Sequence, residues 1–210
     1  EMSRGLGDVY KRQMADIEYR SGDSFVGTDV CLFVAGGFVA GGSYFIFSFD
    51  PMMKIVLIGA GNVATHLGIA LQKAGCLILQ VYSRTEESAS ALAARLSVDY
   101  TIVPDEIRRD ADLYIVALKD AVLRQLAPVL VKGREQALFV HTAGSMPMDL
   151  WKGLVKRYGV LYPMQTFSKQ REVDFNTVPF FIEASAPAEV GVLRMVCLLY
   201  TSPSPRDISG

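Results

Sequence analysis

The stretch Gly59-Ala60-Gly61-Asn62-Val63-Ala64 decides the fold of this chain because of what stands on either side of it. The residues before it, Lys54–Ile58, predict a short buried strand. The residues after it, Val63–Ala74, place apolar side chains at helical spacing and predict a helix. A strand, a G-x-G-x-x-A turn and a helix in this order form the dinucleotide-binding fingerprint in the context that it requires.

Each small residue of this turn has its own predicted role. Gly59 permits the tight turn, Gly61 lets a pyrophosphate approach the backbone, and Ala64 lets the helix pack closely on the strand. The free N–H groups at the helix start then hold the phosphates. The alternative is a glycine turn of a doubly wound fold that binds no nucleotide. We predict cofactor contacts along the whole turn: Gly59, Ala60, Gly61, Asn62, Val63 and Ala64.

The residues after the second predicted strand favour NADP over NAD. NAD-binding proteins usually place an acid there, about 20 residues past the glycines, to bond the ribose 2′-OH. This chain instead has Ser83-Arg84-Thr85 after the strand Leu77–Tyr82. The Arg84 guanidinium suits a 2′-phosphate, and the two hydroxyls can donate to the same group. Alternatively, Thr85 is an ordinary helix N-cap and Arg84 a solvated surface charge.

From Met53 onward, strands and helices alternate, which predicts an α/β fold with a Rossmann-type doubly wound parallel sheet and right-handed crossovers. The further predicted helices are Thr85–Leu96 and Ala121–Val131, the second with Asp120 as its N-cap. The further predicted strands are Val98–Val103, Asp112–Leu118, Ala137–Val140, Tyr158–Leu161 and Val178–Ile182.

Ligands of such sheets bind at the carboxyl ends of the strands, and three loops there carry polar chemistry. Leu118 ends the fourth strand and is a predicted cofactor contact. His141 ends the fifth, where an imidazole can transfer a proton to a carbonyl or imine, so it is the predicted catalytic residue. The alternative for His141 is a hydrogen bond to the neighbouring loop without chemistry. The predicted substrate contacts are Thr142, Ser145, Gln165 and Thr166, of which the first two alternatively cap a helix near Pro147.

Composition narrows the class of protein further. The 210 residues carry a net charge of −1, which offers no electrostatic footprint for nucleic acid. The three cysteines are scattered and lack metal-ligand spacing, so we expect reduced thiols, no disulfide framework and no metal site. These features are typical of a cytoplasmic α/β domain that binds small molecules.

The two ends of the chain differ from its middle. Residues 1–13 and 198–210 resemble translated sequencing adapter, and the run 30–49 is uncharged and long enough to span a bilayer. That run is either a membrane anchor or, as we favour, upstream sequence without selected structure. We therefore interpret 1–52 as a non-native or upstream segment, 53–183 as the NADP-binding Rossmann domain, 184–197 as the start of a truncated helical domain and 198–210 as a tail.

The glycine turn, Ser83-Arg84-Thr85, His141-Thr142-Ala143-Gly144-Ser145 and Tyr162-Pro163-Met164-Gln165-Thr166-Phe167-Ser168 together resemble a known family. It is the Rossmann family whose C-terminal half is called domain of unknown function 2520 (DUF2520). More distantly, the chain resembles pyrroline-5-carboxylate reductases and deazaflavin-dependent NADP oxidoreductases. The resemblance covers about residues 53–197 and implies a C-terminal helical domain that supports a homodimer and closes the active site.

Two functions agree with these features. The first is an NADP-dependent oxidoreductase that moves hydride to or from a small carbonyl or imine compound. The second is a non-catalytic NADP-binding or regulatory protein of the same fold. Because the second domain is only begun here, we expect this chain to bind cofactor without turning over a substrate.

Overall fold

A computed structural model describes residues 30–33, 53–168 and 173–199 of the chain. These residues form one mixed sheet with helices on both faces. The strands are β1 Val30–Phe33, β2 Lys54–Ile58, β3 Leu77–Tyr82, β4 Asp99–Thr101, β5 Leu113–Val116, β6 Leu138–His141, β7 Arg157–Pro163 and β8 Phe180–Ala184. The helices are α1 Asn62–Lys73, α2 Glu86–Leu96, α3 Asp120–Leu130 and α4 Pro187–Leu199, with 3₁₀ turns at Pro104–Glu106, Met148–Trp151 and Phe175–Thr177.

The sheet has the strand order β1-β8-β7-β6-β5-β2-β3-β4. Six neighbouring strands, from β4 to β7, run parallel to one another, in the order of a dinucleotide-binding sheet. The predicted Rossmann-type fold is confirmed. The last strand corrects the prediction, because β8 runs antiparallel to β7. The described part of their connection holds only a one-turn 3₁₀ helix, where a parallel crossover would normally use an α-helix.

The strand order reverses at β2, and this point defines the crevice where ligands of such folds bind. β2 pairs with β3 on one side and with β5 on the other, although β5 comes three strands later in the chain. The last residue of β2, Ile58, lies opposite Tyr82 and opposite Val116. The glycine turn after β2 therefore opens between the ends of β3 and β5, at the topological switch point.

Alternate residues of each central strand pack into two cores, one on each face of the sheet. On one face, Leu57 and Ile115 pack with α1, α2 and α4. On the other, Ile58 and Val116 pack with α3 and with the buried Trp151. Because both faces of these strands are covered, the strands read as continuous apolar runs, as the sequence of Lys54–Ile58 does.

The helix α4 belongs to the first of these cores. Its side chains Leu193, Val196 and Cys197 are buried with the strand residues of the sheet, and Glu189 forms an ion pair of 2.8 Å with Arg157 at the start of β7. Burial raises the pKa of the Cys197 thiol to about 12. The sequence interpretation assigns 184–197 to the start of a second domain, but this helix packs on the sheet itself.

Most of the segment 1–52 lies outside the described residues. The exception is β1, which pairs antiparallel with β8 from Val30 opposite Glu183 to Phe33 opposite Phe180. The first four residues of the uncharged run 30–49 are thus a sheet strand, and the rest of that run is not described. Within 30–33, 53–168 and 173–199, no helix is long and apolar enough to cross a membrane.

The packing of α1 on β2 gives the first testable prediction. A β-carbon at Gly68 would lie 2.6 Å from Leu57 Cδ1 and 3.1 Å from Leu96 Cδ1. We expect Gly68→Ala to destabilise the protein by about 1–3 kcal/mol, because overpacking outweighs the better helix propensity of alanine. The measurement is the free energy of unfolding in urea.

The matched control is Gly191→Ala in α4. A β-carbon there meets no described atom within 4 Å, so this variant should be stabilised by about 0.5–1 kcal/mol through helix propensity alone. Equal effects of the two substitutions would contradict the assigned contact.

Candidate cofactor-binding site

The turn after β2 depends on Gly59. Its φ is +114°, and a β-carbon there would lie 2.3 Å from the Ala117 carbonyl oxygen, which belongs to the end of β5. Its N–H donates to the Tyr82 carbonyl at 2.7 Å. Gly59 thus joins the ends of three strands, and only a residue without a side chain fits there.

The start of α1 is open to a ligand. Gly61 is its N-cap, no described side chain caps the helix, and its first turn contains no acid. The Gly61 carbonyl accepts from the Thr65 N–H and hydroxyl, both at 2.9 Å, so the turn is held from behind. A β-carbon at Gly61 would meet no described atom within 4 Å. The first-turn N–H groups, with the positive end of the helix dipole, therefore face open space that fits a pyrophosphate.

The other residues predicted to contact a cofactor at this turn differ in burial and position. Ala60 and Ala64 are buried, and Val63 is partly buried against the same core. Leu118 lies beside the turn, since its Cδ2 is 3.5 Å from the position of a Gly59 β-carbon. Gly68 is a further position where α1 packs tightly on β2 and α2, and sequence reasoning missed it. A glycine inside a predicted helix was the available signal.

The structure brings Ser83, Arg84 and Thr85 to the same edge as the glycine turn, at the end of β3. Arg84 is exposed and makes no ion pair with a described residue. Thr85 is the N-cap of α2, yet its hydroxyl makes no cap hydrogen bond. Glu86, two residues beyond Arg84, accepts a hydrogen bond of 3.3 Å from the Tyr100 hydroxyl. The arginine and the threonine hydroxyl thus remain available at this side of the crevice.

The loops after β5 and β6 meet through a direct side-chain contact. The Ser145 hydroxyl donates to the Asp120 carboxylate. Asp120 is the first residue of α3, and the N-cap is Lys119, which corrects the predicted cap. The 3₁₀ turn Met148–Trp151 has no side-chain cap, so the capping alternative for Thr142 and Ser145 is wrong. Thr142 is buried, and its N–H donates to the Val116 carbonyl at 3.1 Å.

His141 lies at the end of β6, but its side chain faces inward. It has no exposed surface, and its ring centre is 6.3 Å from that of Trp151. Neither ring nitrogen is hydrogen-bonded to a described residue. Burial lowers the pKa of this imidazole, while the Pro147 backbone and the Asp120 carboxylate oppose the shift in part. The ring is therefore neutral near pH 7, and its catalytic role stays a prediction.

The loop after β7 carries Gln165 and Thr166, both of which are exposed. The Gln165 side-chain oxygen accepts from the Thr166 N–H at 3.1 Å. The preceding Tyr162 ring packs on the loop after β6, because a β-carbon at Gly144 would lie 2.8 Å from its Cζ. The motifs His141–Ser145 and Tyr162–Ser168 therefore contact each other, although neither predicts that contact by itself.

The fold is Rossmann-type, and its glycine turn lies open at the switch point where such folds bind dinucleotides. A family model described as "NADP oxidoreductase coenzyme F420-dependent" matches residues 54–144, from β2 into the loop after β6. A Bacteroides fragilis protein with the provisional name NADP oxidoreductase is similar at 54% identity and a TM-score of 0.70, over 71% of this chain and 58% of that one. The chain is thus similar to NADP oxidoreductases.

More distant structures share the fold alone. Prephenate dehydrogenase of A. aeolicus, solved with NAD⁺ and hydroxyphenyl propionate, has 16% identity and a TM-score of 0.62, over 73% of this chain and 59% of that one. A 1-pyrroline-5-carboxylate reductase of Streptococcus pyogenes has 16% identity and a TM-score of 0.53, over 73% and 57%. The chain therefore spans less than two thirds of each of these proteins. No curated protein matches it, and the resemblance to the DUF2520 family stays a prediction.

We expect substitutions at the two glycines of the turn to affect different properties, ligand binding at Gly61 and stability at Gly59. Gly61→Val should abolish dinucleotide binding and keep the circular dichroism spectrum and melting temperature, because the added atoms enter only the ligand's space. Gly59→Ala should lower the melting temperature, because it meets a carbonyl and a strained φ. Full dinucleotide affinity of Gly61→Val would contradict the assigned pyrophosphate position.

The burial of His141 predicts a dependence of stability on pH. The pKa of His141 lies below its ordinary value of 6.5, so the unfolded chain takes up the proton at higher pH than the folded protein. Its contribution to stability is complete above that value and is lost as the pH falls below it. We expect the loss of unfolding free energy between about pH 7.5 and about pH 5 to be smaller in His141→Gln.

The same pH dependence in His141→Gln as in the unmodified protein would show that His141 is not held neutral by burial.

Proposed function

We propose that this chain is the NADP-binding half of an oxidoreductase that moves hydride to or from a small carbonyl or imine compound. The observation that carries the proposal is the free Arg84 guanidinium beside an uncapped helix start. Similarity to NADP oxidoreductases supports it independently. Because the chain spans only 58% of its Bacteroides fragilis relative, the activity is proposed for the whole protein.

The choice of NADP rests on the charges around Arg84. A 2′-phosphate needs a cation and hydrogen-bond donors, and Arg84 is available together with the Ser83 and Thr85 hydroxyls. The nearby Glu86 would bind a ribose hydroxyl or neutralise Arg84, but its carboxylate is bonded to Tyr100 on β4. Arg84 is therefore the group at this edge that would favour a phosphate over a bare ribose.

The pyrophosphate position follows from the first turn of α1. A phosphate at Gly61 would accept from backbone N–H groups that no described side chain occupies. Leu118, two residues after β5, lies beside the turn. NADP would thus lie across the switch point, with its adenosine end at Arg84 and its nicotinamide end toward the loops after β5 and β6.

At the nicotinamide end, the chain offers polar side chains and the bound cofactor would supply the hydride. Ser145 is exposed and oriented by Asp120, so its hydroxyl can contact a substrate. Gln165 and Thr166 lie exposed on the loop after β7. His141 would serve as the proton donor after a movement of the loop that exposes its ring, because the ring has no exposed surface in the structure.

The burial of His141 also favours a second candidate, a protein that binds NADP without catalysis. A general acid must come within hydrogen-bond reach of the atom that it protonates, and a fully buried ring does not do so without a movement of the loop. In that case His141 is a core residue between β6 and Trp151.

The cofactor preference is tested with Arg84→Ala. The unmodified protein should bind NADPH more tightly than NADH, and the variant should lose most of this preference, about 1–3 kcal/mol for a charge-assisted contact. Binding of both cofactors is measured by titration calorimetry. Arg95→Ala is the control, because Arg95 is an exposed arginine in the last turn of α2, the helix that follows Arg84. Equal affinity of the unmodified protein for NADH and NADPH would contradict the proposal.

The reaction is tested in a longer relative that carries these motifs and the second half. NADPH oxidation should be seen with some member of a panel of small imines and keto acids. The substitution equivalent to His141→Ala should then lower turnover by roughly 100-fold with little change in cofactor affinity. Tight NADPH binding without oxidation by any substrate would favour the second candidate.

A further inference from the structure

Two side chains of α1 hold the segment Met164–Ser168, which we call the strap. The Asn62 side-chain amide donates to the Phe167 carbonyl at 2.8 Å, and His66 Nε2 lies 2.8 Å from the Ser168 carbonyl. A carbonyl oxygen only accepts, so His66 carries a proton on Nε2. The two residues are one helical turn apart, and they therefore contact consecutive carbonyl groups of the strap from one face of α1.

The strap is also fixed by packing. The Phe167 ring is buried, with its centre 5.5 Å from that of His66 and 5.9 Å from that of Phe175. At the other end of the strap, the Met164 N–H donates to the Pro179 carbonyl at 2.8 Å. Gln165 and Thr166, between these two anchors, are exposed. The strap is therefore held at one end by α1 and the buried Phe167 ring and at the other end by the Met164 bond, with Gln165 and Thr166 exposed between them.

We infer that Asn62 and His66 are positioning residues that couple the dinucleotide pocket to the strap, which presents Gln165 and Thr166 to the substrate. Asn62 is the first residue of α1, so its backbone belongs to the phosphate-binding turn while its side chain holds the strap. A ligand that orders this turn also orders the strap. The inference rests on the proposed function, because it needs a dinucleotide at the start of α1.

Coupling of this kind is reciprocal. If NADPH stabilises the held strap, then the held strap raises NADPH affinity by the same factor, which for coupled sites is about 5- to 150-fold. A merely structural contact would stabilise the fold without responding to the ligand. The distinction is measurable at the strap itself.

The test is amide hydrogen exchange of the 210-residue chain with and without NADPH. In the unmodified protein, NADPH should slow exchange at residues 165–168 by about tenfold or more. In the double variant Asn62→Ala/His66→Phe, exchange there should be faster without ligand, and NADPH should no longer slow it. The factor by which NADPH affinity falls should be about the factor by which NADPH slows exchange at residues 165–168 in the unmodified protein. His66→Phe keeps the ring against Phe167 and removes only the donor.

Gln72→Ala is the matched control. Gln72 also lies on α1 and donates its side-chain amide to a carbonyl, that of Leu96 at 2.6 Å, but this bond leads to α2. The variant should keep both the strap protection and the NADPH affinity. If the double variant loses its cooperative melting transition, the single variant His66→Phe, which keeps the Asn62 bond, is compared instead and should show part of the effect.

Three results would overturn the inference. The first is NADPH binding to the unmodified protein without protection of the strap, and the second is full protection in the double variant. The third is unchanged strap exchange in the ligand-free double variant, which would show that the two bonds do not hold the strap. If NADPH does not bind the unmodified protein at all, the proposed function fails, and the ligand-free comparison still decides whether the two side chains hold the strap.

Discussion

A β-carbon at Gly59 would lie 2.3 Å from the Ala117 carbonyl oxygen, so the ends of β2 and β5 meet only because this position has no side chain. The meeting point is also the place where the strand order reverses. The start of α1, the Ser83–Thr85 segment and Leu118 are all arranged around it. The candidate site is thus a consequence of one backbone contact between strands that are far apart in the sequence.

The elements nearest this contact could be predicted from the sequence, because their signals are local. Strand β3 has its predicted bounds, and α2 begins one residue after the predicted Thr85. The antiparallel direction of β8 could not be predicted, because it depends on the path of the connection after β7 and not on the strand's own residues. The same limit applies to Gly68. A side chain does not fit there because Leu57 and Leu96, which belong to other elements, lie too close.

In the candidate site, the sequence likewise predicts where a residue lies in the sheet but not what surrounds its side chain. The pattern at the end of β6 correctly places His141 at the carboxyl edge of the sheet. It does not reveal that the side chain faces the core beside Trp151, because a single imidazole at a strand end is compatible with either face. Arg84 is the opposite case. Its position directly after β3 leaves it exposed, as the sequence suggested, and only the Tyr100–Glu86 bond needed the folded structure.

Under the proposed function, the first turn of α1 contacts the phosphates through its backbone and the strap through a side chain. These two requirements account for its residue types. A conventional N-cap side chain would occupy the N–H groups that a phosphate needs, so a glycine stands there. The next residue must leave its backbone free, yet its side chain is directed to the Phe167 carbonyl instead of the helix start. Asparagine suits this position because it supplies an amide donor without a charge that would repel or pair with the phosphates. The proposed nucleotide contact and the position of the strap therefore depend on the same residue through different atoms.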